Sequence, residues 1–242
     1  MKKSIAFYSD EGGRSRNEDT VLISEHDGRQ LVIAADGLGG MDDGARASGL
    51  AAEIILERLS RCEAGEQALL EAVAEANSAV RAEQKHSGDM CTTVAVLWID
   101  GAQAYACHVG DTRIYQFRGG DIVYQSIDHS VSQMAVMMGE ITPGELRTHK
   151  DRNRLVRALG RDENVRAQTE RLSVRAGDSF LLCTDGFWEK ILEEEMLECR
   201  KGADDAGEWL SAMRKRVMNA QNEQGDNNSA AAVIIGVQNT VV

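Results

Sequence analysis

Proline is nearly absent from the 242-residue chain: Pro143 is the single one, and no proline-, glycine- or serine-rich linker, low-complexity tract or repeat occurs. Nothing in the composition therefore marks a boundary, and one domain over residues 1–242 is expected. Five cysteines (Cys62, Cys91, Cys107, Cys183, Cys199) are an odd number with no CxxC pair, which excludes a disulfide framework or zinc knuckle and predicts buried, reduced thiols. Long apolar runs are missing too: neither residues 94–99 nor 230–237 approach the roughly 18 residues that cross a membrane. The run after Lys2 and Lys3 is cut by Asp10 before it could form a signal-peptide core, so a cytoplasmic protein without a membrane partner is expected. Positive charge is in deficit, 27 Lys and Arg against 39 Asp and Glu, and the net −12 repels a polyphosphate backbone. Nucleic acid is excluded as an expected partner.

What remains is 43% hydrophobic and 27% charged, the make-up of a chain that buries a core. Runs rich in branched residues at 4–8, 21–24 and 31–35 predict three strands close together in one sheet. Beyond Gly44, Leu50, Ile54, Ile55 and Leu59 recur at helical spacing, and Leu69, Val73, Ala76 and Val80 follow after Gly65. Two long amphipathic helices should cover one side of a sheet. Residues 92–99, 102–109, 113–118 and 122–126 predict an antiparallel meander, divided by Asp100-Gly101, Gly110-Asp111 and Gly119-Gly120. Helical stretches and a bend over 130–159 precede strands at 179–183 and 230–237, with helices at 188–199 and 204–222 between them. Strands in groups, then helices in groups, indicate an α+β layered fold rather than a doubly wound one.

Three predicted strand ends carry an acidic residue beside glycine or asparagine: Asp36-Gly37, Asp185-Gly186 and Asp226-Asn227. A carboxylate just outside a buried strand is held rigidly, and a following glycine lets a main-chain carbonyl approach a ligand. Hard divalent cations take such oxygens. Each pair alone is also an ordinary turn former. The segment from Ser9 to Asp19 adds Arg14, Glu18 and Asp19, a set that would equally suit an ion-pair cluster on a solvated turn.

Taken in order, Arg14-x-x-Asn-Glu-Asp19, Asp36-Gly-x-Gly-Gly, Gly88-x-x-x-Thr-Thr, Val109-Gly-Asp-Thr-Arg-x-Tyr, Asp128-His-Ser, Arg154-x-x-x-Ala-Leu-Gly, Thr184-Asp-Gly-x-Trp and Asp226-Asn form a specific series. Over nearly its whole length the chain resembles the metal-dependent Ser/Thr protein phosphatases of type 2C, especially the compact bacterial members. The resemblance implies a four-layer α-β-β-α sandwich, two antiparallel sheets flanked by helices, with a site for two Mn²⁺ or Mg²⁺ ions at one end. It implies that Asp36 bridges both ions, that the Gly37 carbonyl ligates one, and that Asp185 and Asp226 hold the other. Glu18 and Asp19 match acidic residues that contact the metals directly or through water, and Arg14 matches the residue that grips phosphate. The implied activity is hydrolysis of phosphoserine and phosphothreonine in proteins, reversing a cognate Ser/Thr kinase, by a monomer.

The pattern departs in places. Leu38 stands where many eukaryotic relatives carry a histidine able to protonate the leaving group, which leaves metal-bound water or His129 as candidate donors, His129 being equally readable as a structural histidine. Glu189 replaces the family's aspartate at a position tied to a third, weaker ion, and Asp128 matches that site's other residue. Residues 138–154 match a mobile flap, where Gly139, Pro143 and Gly144 permit bending. Cys107 to Arg113 has the Cys-x₅-Arg spacing of cysteine-based phosphatases, but a strand follows and no histidine precedes it; Gly37-Leu38-Gly39 lacks the third glycine of a dinucleotide loop, with Asp42 in its place. The alternatives are a phosphatase-like regulatory or binding module with little turnover, and a hydrolase of small phosphoesters.

Overall fold

Strand β3 (Arg29–Gly39) sets the layering, because its centre Leu-Val-Ile-Ala-Ala is buried on both faces and must lie between two packed layers. Leu31 and Ile33 point into a core shared with helices α1 (Asp43–Leu59) and α2 (Glu66–Ser87). Val32 and Ala34 point the other way, into a core shared with a second sheet. The computed structural model describes residues 4–39, 43–224 and 227–236.

One sheet runs in the order β2 (Asp19–His26), β3, β5 (Val94–Asp100), β6 (Gln103–Val109), β9 (Gln168–Ser173), with β4 (Met90–Thr92) beside the end of β3. The other runs β1 (Ser4–Asp10), β11 (Ser229–Ile235), β10 (Ser179–Cys183), β7 (Arg113–Arg118), β8 (Asp121–Gln125). Paired strands are antiparallel throughout. Their inner faces meet through Leu97, Ile99 and Ala106 on one side and Ile114, Phe180, Leu182 and Ile234 on the other. Beyond the second sheet, Tyr115, Leu181 and Val233 pack on Trp188, Trp209, Met213 and Val217, which come from α4 (Asp185–Trp188) and α6 (Ala206–Gln224). Helix α5 (Glu193–Lys201) completes that layer through Met196. The α-β-β-α sandwich implied by the motifs is the fold.

Several expectations need correction. The first three strands do not share a sheet: β1 pairs β11, whereas β2 and β3 pair each other across the molecule. Residues 11–18 between β1 and β2 are long enough to step from one sheet to the other, which a tight hairpin could not do. The central strands are not one meander either. The β5–β6 hairpin lies in one sheet and β7–β8 in the other, and the chain crosses at Gly110–Thr112. Gly110 makes that crossing with φ of 99°, close against the Thr93 side chain. The run 92–99 is broken at Thr93, which turns its backbone N–H to the Asp36 carbonyl. Strand β9, a charged edge strand reading Gln-Thr-Glu-Arg-Leu-Ser, gives little apolar signal and is not anticipated. Residues 138–159 hold one 3₁₀ turn, Pro143–Thr148, rather than further α-helix. All five thiols are free, but Cys62 and Cys91 are only half-buried.

Candidate active site

The two sheet-crossing connections and two strand ends converge at one end of the sandwich. Asp19 opens β2 opposite Asp36 on β3, Asp185 follows β10, and Asp111 sits on the crossing between β6 and β7. A cleft of about 300 Å³ opens there, lined by Arg14, Glu18, Asp36, Gly37, Asp111, Asp185 and Glu189 among others. Six of the sequence candidates thus meet in one cavity, and Asp19 lies buried beneath it.

Backbone contacts hold Asp36 in place. Its N–H donates to Thr93 Oγ1 (3.0 Å), and its carbonyl accepts from Thr92 Oγ1 (2.8 Å) and from the Thr93 N–H (2.9 Å). Thr93 Oγ1 is itself paired with Thr112 Oγ1 at 2.5 Å, which ties Asp36 to the sheet crossing. A Cβ on Gly37 would overlap the Gly44 carbonyl, so only glycine lets β3 and the start of α1 approach this closely. The loop carrying Arg14 is stapled by Asn228, whose amide donates to the Glu11 and Arg16 carbonyls (3.0 and 2.7 Å) and accepts from the Glu18 N–H (3.0 Å).

The carboxyls crowd one another. Asp36 and Asp185 line the same cleft, and Asn227 donates to Asp185 at 2.8 Å. Burial pushes Asp19 up to about 8, opposed by the Thr184 hydroxyl at 2.6 Å and reinforced by Asp185. Burial first and neighbouring carboxylates second raise Asp36 and Asp111 well above the ordinary carboxylate range. Glu18 and Glu189 are raised by burial as well, against the opposing charges of Arg14 and Arg152 respectively. Asp19 Oδ1 is buried with no hydrogen-bond partner. Among the described residues no three His, Cys, Asp or Glu side chains form a ready cage for a metal ion. The carboxyls relieve their repulsion by retaining protons, and an orphaned buried oxygen beside them is what a cation would satisfy. The donor set fits hard divalent ions.

Two candidates lie elsewhere. Asp128 does not line the cleft: both its oxygens accept from Arg113, at 2.8 Å each, in a pair that is nearly inaccessible. A guanidinium buried at that point needs a bidentate counter-ion, and Asp128 is it. His129 is held with Nδ1 accepting from the Gly110 N–H and its ring stacked on His108, 4.6 Å between centroids. Burial first, then His108, lowers it to about 4, so it is a neutral structural histidine outside the cleft. Asp226 lies outside the described residues.

Asp111 is a cleft residue that its sequence context conceals. It follows a predicted strand beside a glycine, the same signature as Asp36, but Gly110-Asp111 reads equally well as a turn. Its position depends on a buried assembly. The Arg113 guanidinium lies over the Trp188 ring, 3.5 Å from the centroid, and the Trp188 indole N–H donates to the Asp111 carbonyl at 2.9 Å. Arg147, on the 3₁₀ turn, donates to the Trp188 carbonyl (3.1 Å) and to both oxygens of Glu193 (2.8 Å). That turn is therefore fastened at its base, with Leu146 buried, and Arg152 beyond it pairs with Glu189 at 3.1 Å in the cleft.

Fold and cleft together define a class: an antiparallel sandwich between helical layers, with a carboxylate-rich cleft at its strand ends and an arginine at the rim. The Protein phosphatase 2C family model matches residues 8–229. Serine/threonine protein phosphatase PstP of Mycobacterium tuberculosis is 36% identical over 200 residues, 80% of this chain but 38% of that protein, so the chain spans well under half of that relative. Serine/threonine phosphatase stp of Listeria monocytogenes is 28% identical over 239 residues, 94% of each chain. The catalytic domain of PstP, solved with two manganese ions, superposes with a TM-score of 0.84 at 28% identity, covering 96% of this chain and 97% of that one. The chain belongs to the protein phosphatase 2C family.

Proposed function

We propose that this chain is a metal-dependent protein-serine/threonine phosphatase that removes phosphate from phosphoserine and phosphothreonine in proteins. The observation that carries the reading is the convergence of Asp36, from β3, and Asp185, from the end of β10, in one cleft that Arg14 also lines. Residues 1–242 act as one catalytic domain and as a monomer, with a phosphorylated protein as partner and a Ser/Thr kinase as the opposing activity. Among the described residues no helix is long and apolar enough to cross a membrane, and a cytoplasmic location accords with that.

Two Mn²⁺ or Mg²⁺ ions would be held by Asp36, the Gly37 carbonyl, Asp185 and Asp226, with Glu18 and Asp19 in support. When bound, such ions supply Lewis acidity, neutralising phosphate charge and making water acidic enough to attack near neutral pH. The protein's own groups do the rest. Arg14, planar and permanently charged, grips the phosphoryl oxygens as a bidentate donor. The threonine contacts fix the Asp36 backbone, so its side chain springs from a set position and little reorganisation accompanies charge development at phosphorus. Among the described residues no cysteine lines the cleft, and Cys107 and Cys183, buried with thiols pushed up by burial, offer no protein nucleophile. Asp111, Asp185 and Glu189 line the cleft together, and we read these three, rather than Asp128, as the set that would hold a third, weaker ion.

The test is phosphate release from phosphoserine, phosphothreonine and phosphotyrosine peptides and an aryl phosphate, with Mn²⁺ or Mg²⁺ and after chelation. Activity on the first two peptides that chelator abolishes is expected; undiminished turnover after metal removal would overturn the reading, and turnover of the aryl phosphate alone would favour a small-phosphoester hydrolase.

A further inference from the structure

Next to the cleft lies a larger groove, about 960 Å³, that the phosphoryl chemistry does not use. Ile127, Met134, Met137 and Val156 line it, four of the nine large apolar side chains exposed among the described residues, and Met138 follows directly in the chain. Scattered singly, such residues need no explanation; gathered in one concavity they mark a surface that meets another molecule. Met134 is 47% exposed and Met137 73%, on a helix, α3 (Val131–Met137), whose Ser132 and Ala135 face inward.

One stretch of chain walls both cavities. Asn153 and Leu155 line the cleft, while Val156, Arg157 and Ala158 line the groove. This wall is fixed by backbone bonds from Val131 N–H to the Arg154 carbonyl and from Val156 N–H to the His129 carbonyl, each 2.8 Å. Thr92 and Leu159 add a reciprocal pair at 3.1 and 2.8 Å. A further cavity shares Leu38, Asn153 and Leu155 with the cleft and Ala158 with the groove, so a polypeptide whose phosphorylated side chain enters the cleft continues across it onto the groove.

We infer that the groove docks the polypeptide of the phosphoprotein substrate, taking apolar side chains that flank the phosphorylated residue. This rests on the phosphatase function proposed for the cleft. Continuity with the cleft selects the substrate as occupant, and a second copy is disfavoured because each chain carries a net charge of −12. Arg157 and Arg166 line the groove together with Asp162 and Glu163, so the charges are balanced and it selects for apolar content rather than for charge. Methionines suit such a surface, because their unbranched, polarizable side chains repack around differing partners, giving breadth of substrate instead of one sequence.

The test pairs Met134→Glu with Met137→Glu in one variant, both at exposed positions, and compares phosphorylated casein with an aryl phosphate that reaches only the cleft. The expected result is a KM for phosphocasein raised fivefold or more, with kcat and both aryl phosphate constants within twofold of wild type. An unchanged KM for phosphocasein overturns the proposal, as does a parallel loss on both substrates. Sedimentation of the wild type as a dimer that the variant dissociates would assign the groove to a second copy and also overturn it. Failure of the wild type to act on any phosphoprotein would instead count against the phosphatase function itself.

Discussion

Asp36 is half-buried in the cleft wall, near Asp19, Asp111 and Asp185, and is held well above the ordinary carboxylate range by loss of solvent and by those neighbours. A side chain in that position lowers the stability of the metal-free fold in return for a ready donor set, the usual conflict between stability and activity. Asp36→Asn separates the two roles. It should lower kcat on the order of 10²–10³-fold or more, the scale of losing a preorganised electrostatic group. At the same time the melting temperature of the metal-free protein should rise, because one member of a crowded carboxyl cluster is gone. Near-normal turnover in that variant would show that Asp36 is not needed to hold the ions. The motif series pointed to Arg14, Glu18, Asp36, Gly37 and Asp185, and the departure from it at residue 189 to Glu189; all six line the cleft. It misplaced Asp128, because adjacency to His129 carries no information about which long-range partner, here Arg113, takes the carboxylate.

At the scale of elements, the short helix α4 joins two parts of the site, since its first residue is Asp185 and its last, Trp188, holds the Asp111 carbonyl. Trp188→Phe keeps an aromatic face for Arg113 but removes the indole donor and leaves the space of the smaller ring unfilled. A matched control exists in Trp209, whose indole N–H donates to the Met196 carbonyl at 3.1 Å and which also lies near an arginine, Arg200. Each substitution should cost about 2–3 kcal/mol of stability, one lost buried hydrogen bond plus the cavity left by a smaller ring. Only Trp188→Phe should weaken Mn²⁺ binding, seen by calorimetry as a several-fold fall in affinity at the weakest site; equal binding in the two variants would mean that Trp188 serves packing alone. No spacing rule exposes this link. It joins residue 111 to residue 188 through a stack with residue 113, and that stack exists only once two sheets and a helix have packed.

For the whole molecule, the consequence of clustering acids at one end is a metal- and pH-dependent stability. In the unfolded chain the Asp19 carboxyl loses its proton near 3.8, whereas in the metal-free fold it retains it to about 8 because of burial. The folded state thus binds more protons across that window, and stability present below pH 4 declines as pH rises towards 8. Divalent ions reverse the sign by replacing protons as the neutralising charge. The rise in melting temperature on adding Mn²⁺ should accordingly be larger at pH 8 than at pH 5. Thermal melts with Mn²⁺ and with chelator at the two pH values check this; an increment independent of pH would mean the ions do not bind at the carboxyl cluster.

The resemblance carried by the motif series implied the α-β-β-α class; the amino-acid order alone determined the periodicities of α1 and α2, most strands, and the acidic residues near the ends of β3 and β10. These are local properties, written in the spacing of apolar residues and in turn chemistry within a few positions. Tertiary structure decided what depends on partners far along the chain. It sent β1 and β7 to the opposite sheet from β2 and β6, because the connections at 11–18 and 110–112 step between layers instead of closing hairpins. It brought Asp111 into the cleft and committed Asp128 to Arg113, because a buried guanidinium must take its counter-ion from whichever carboxylate the packing delivers.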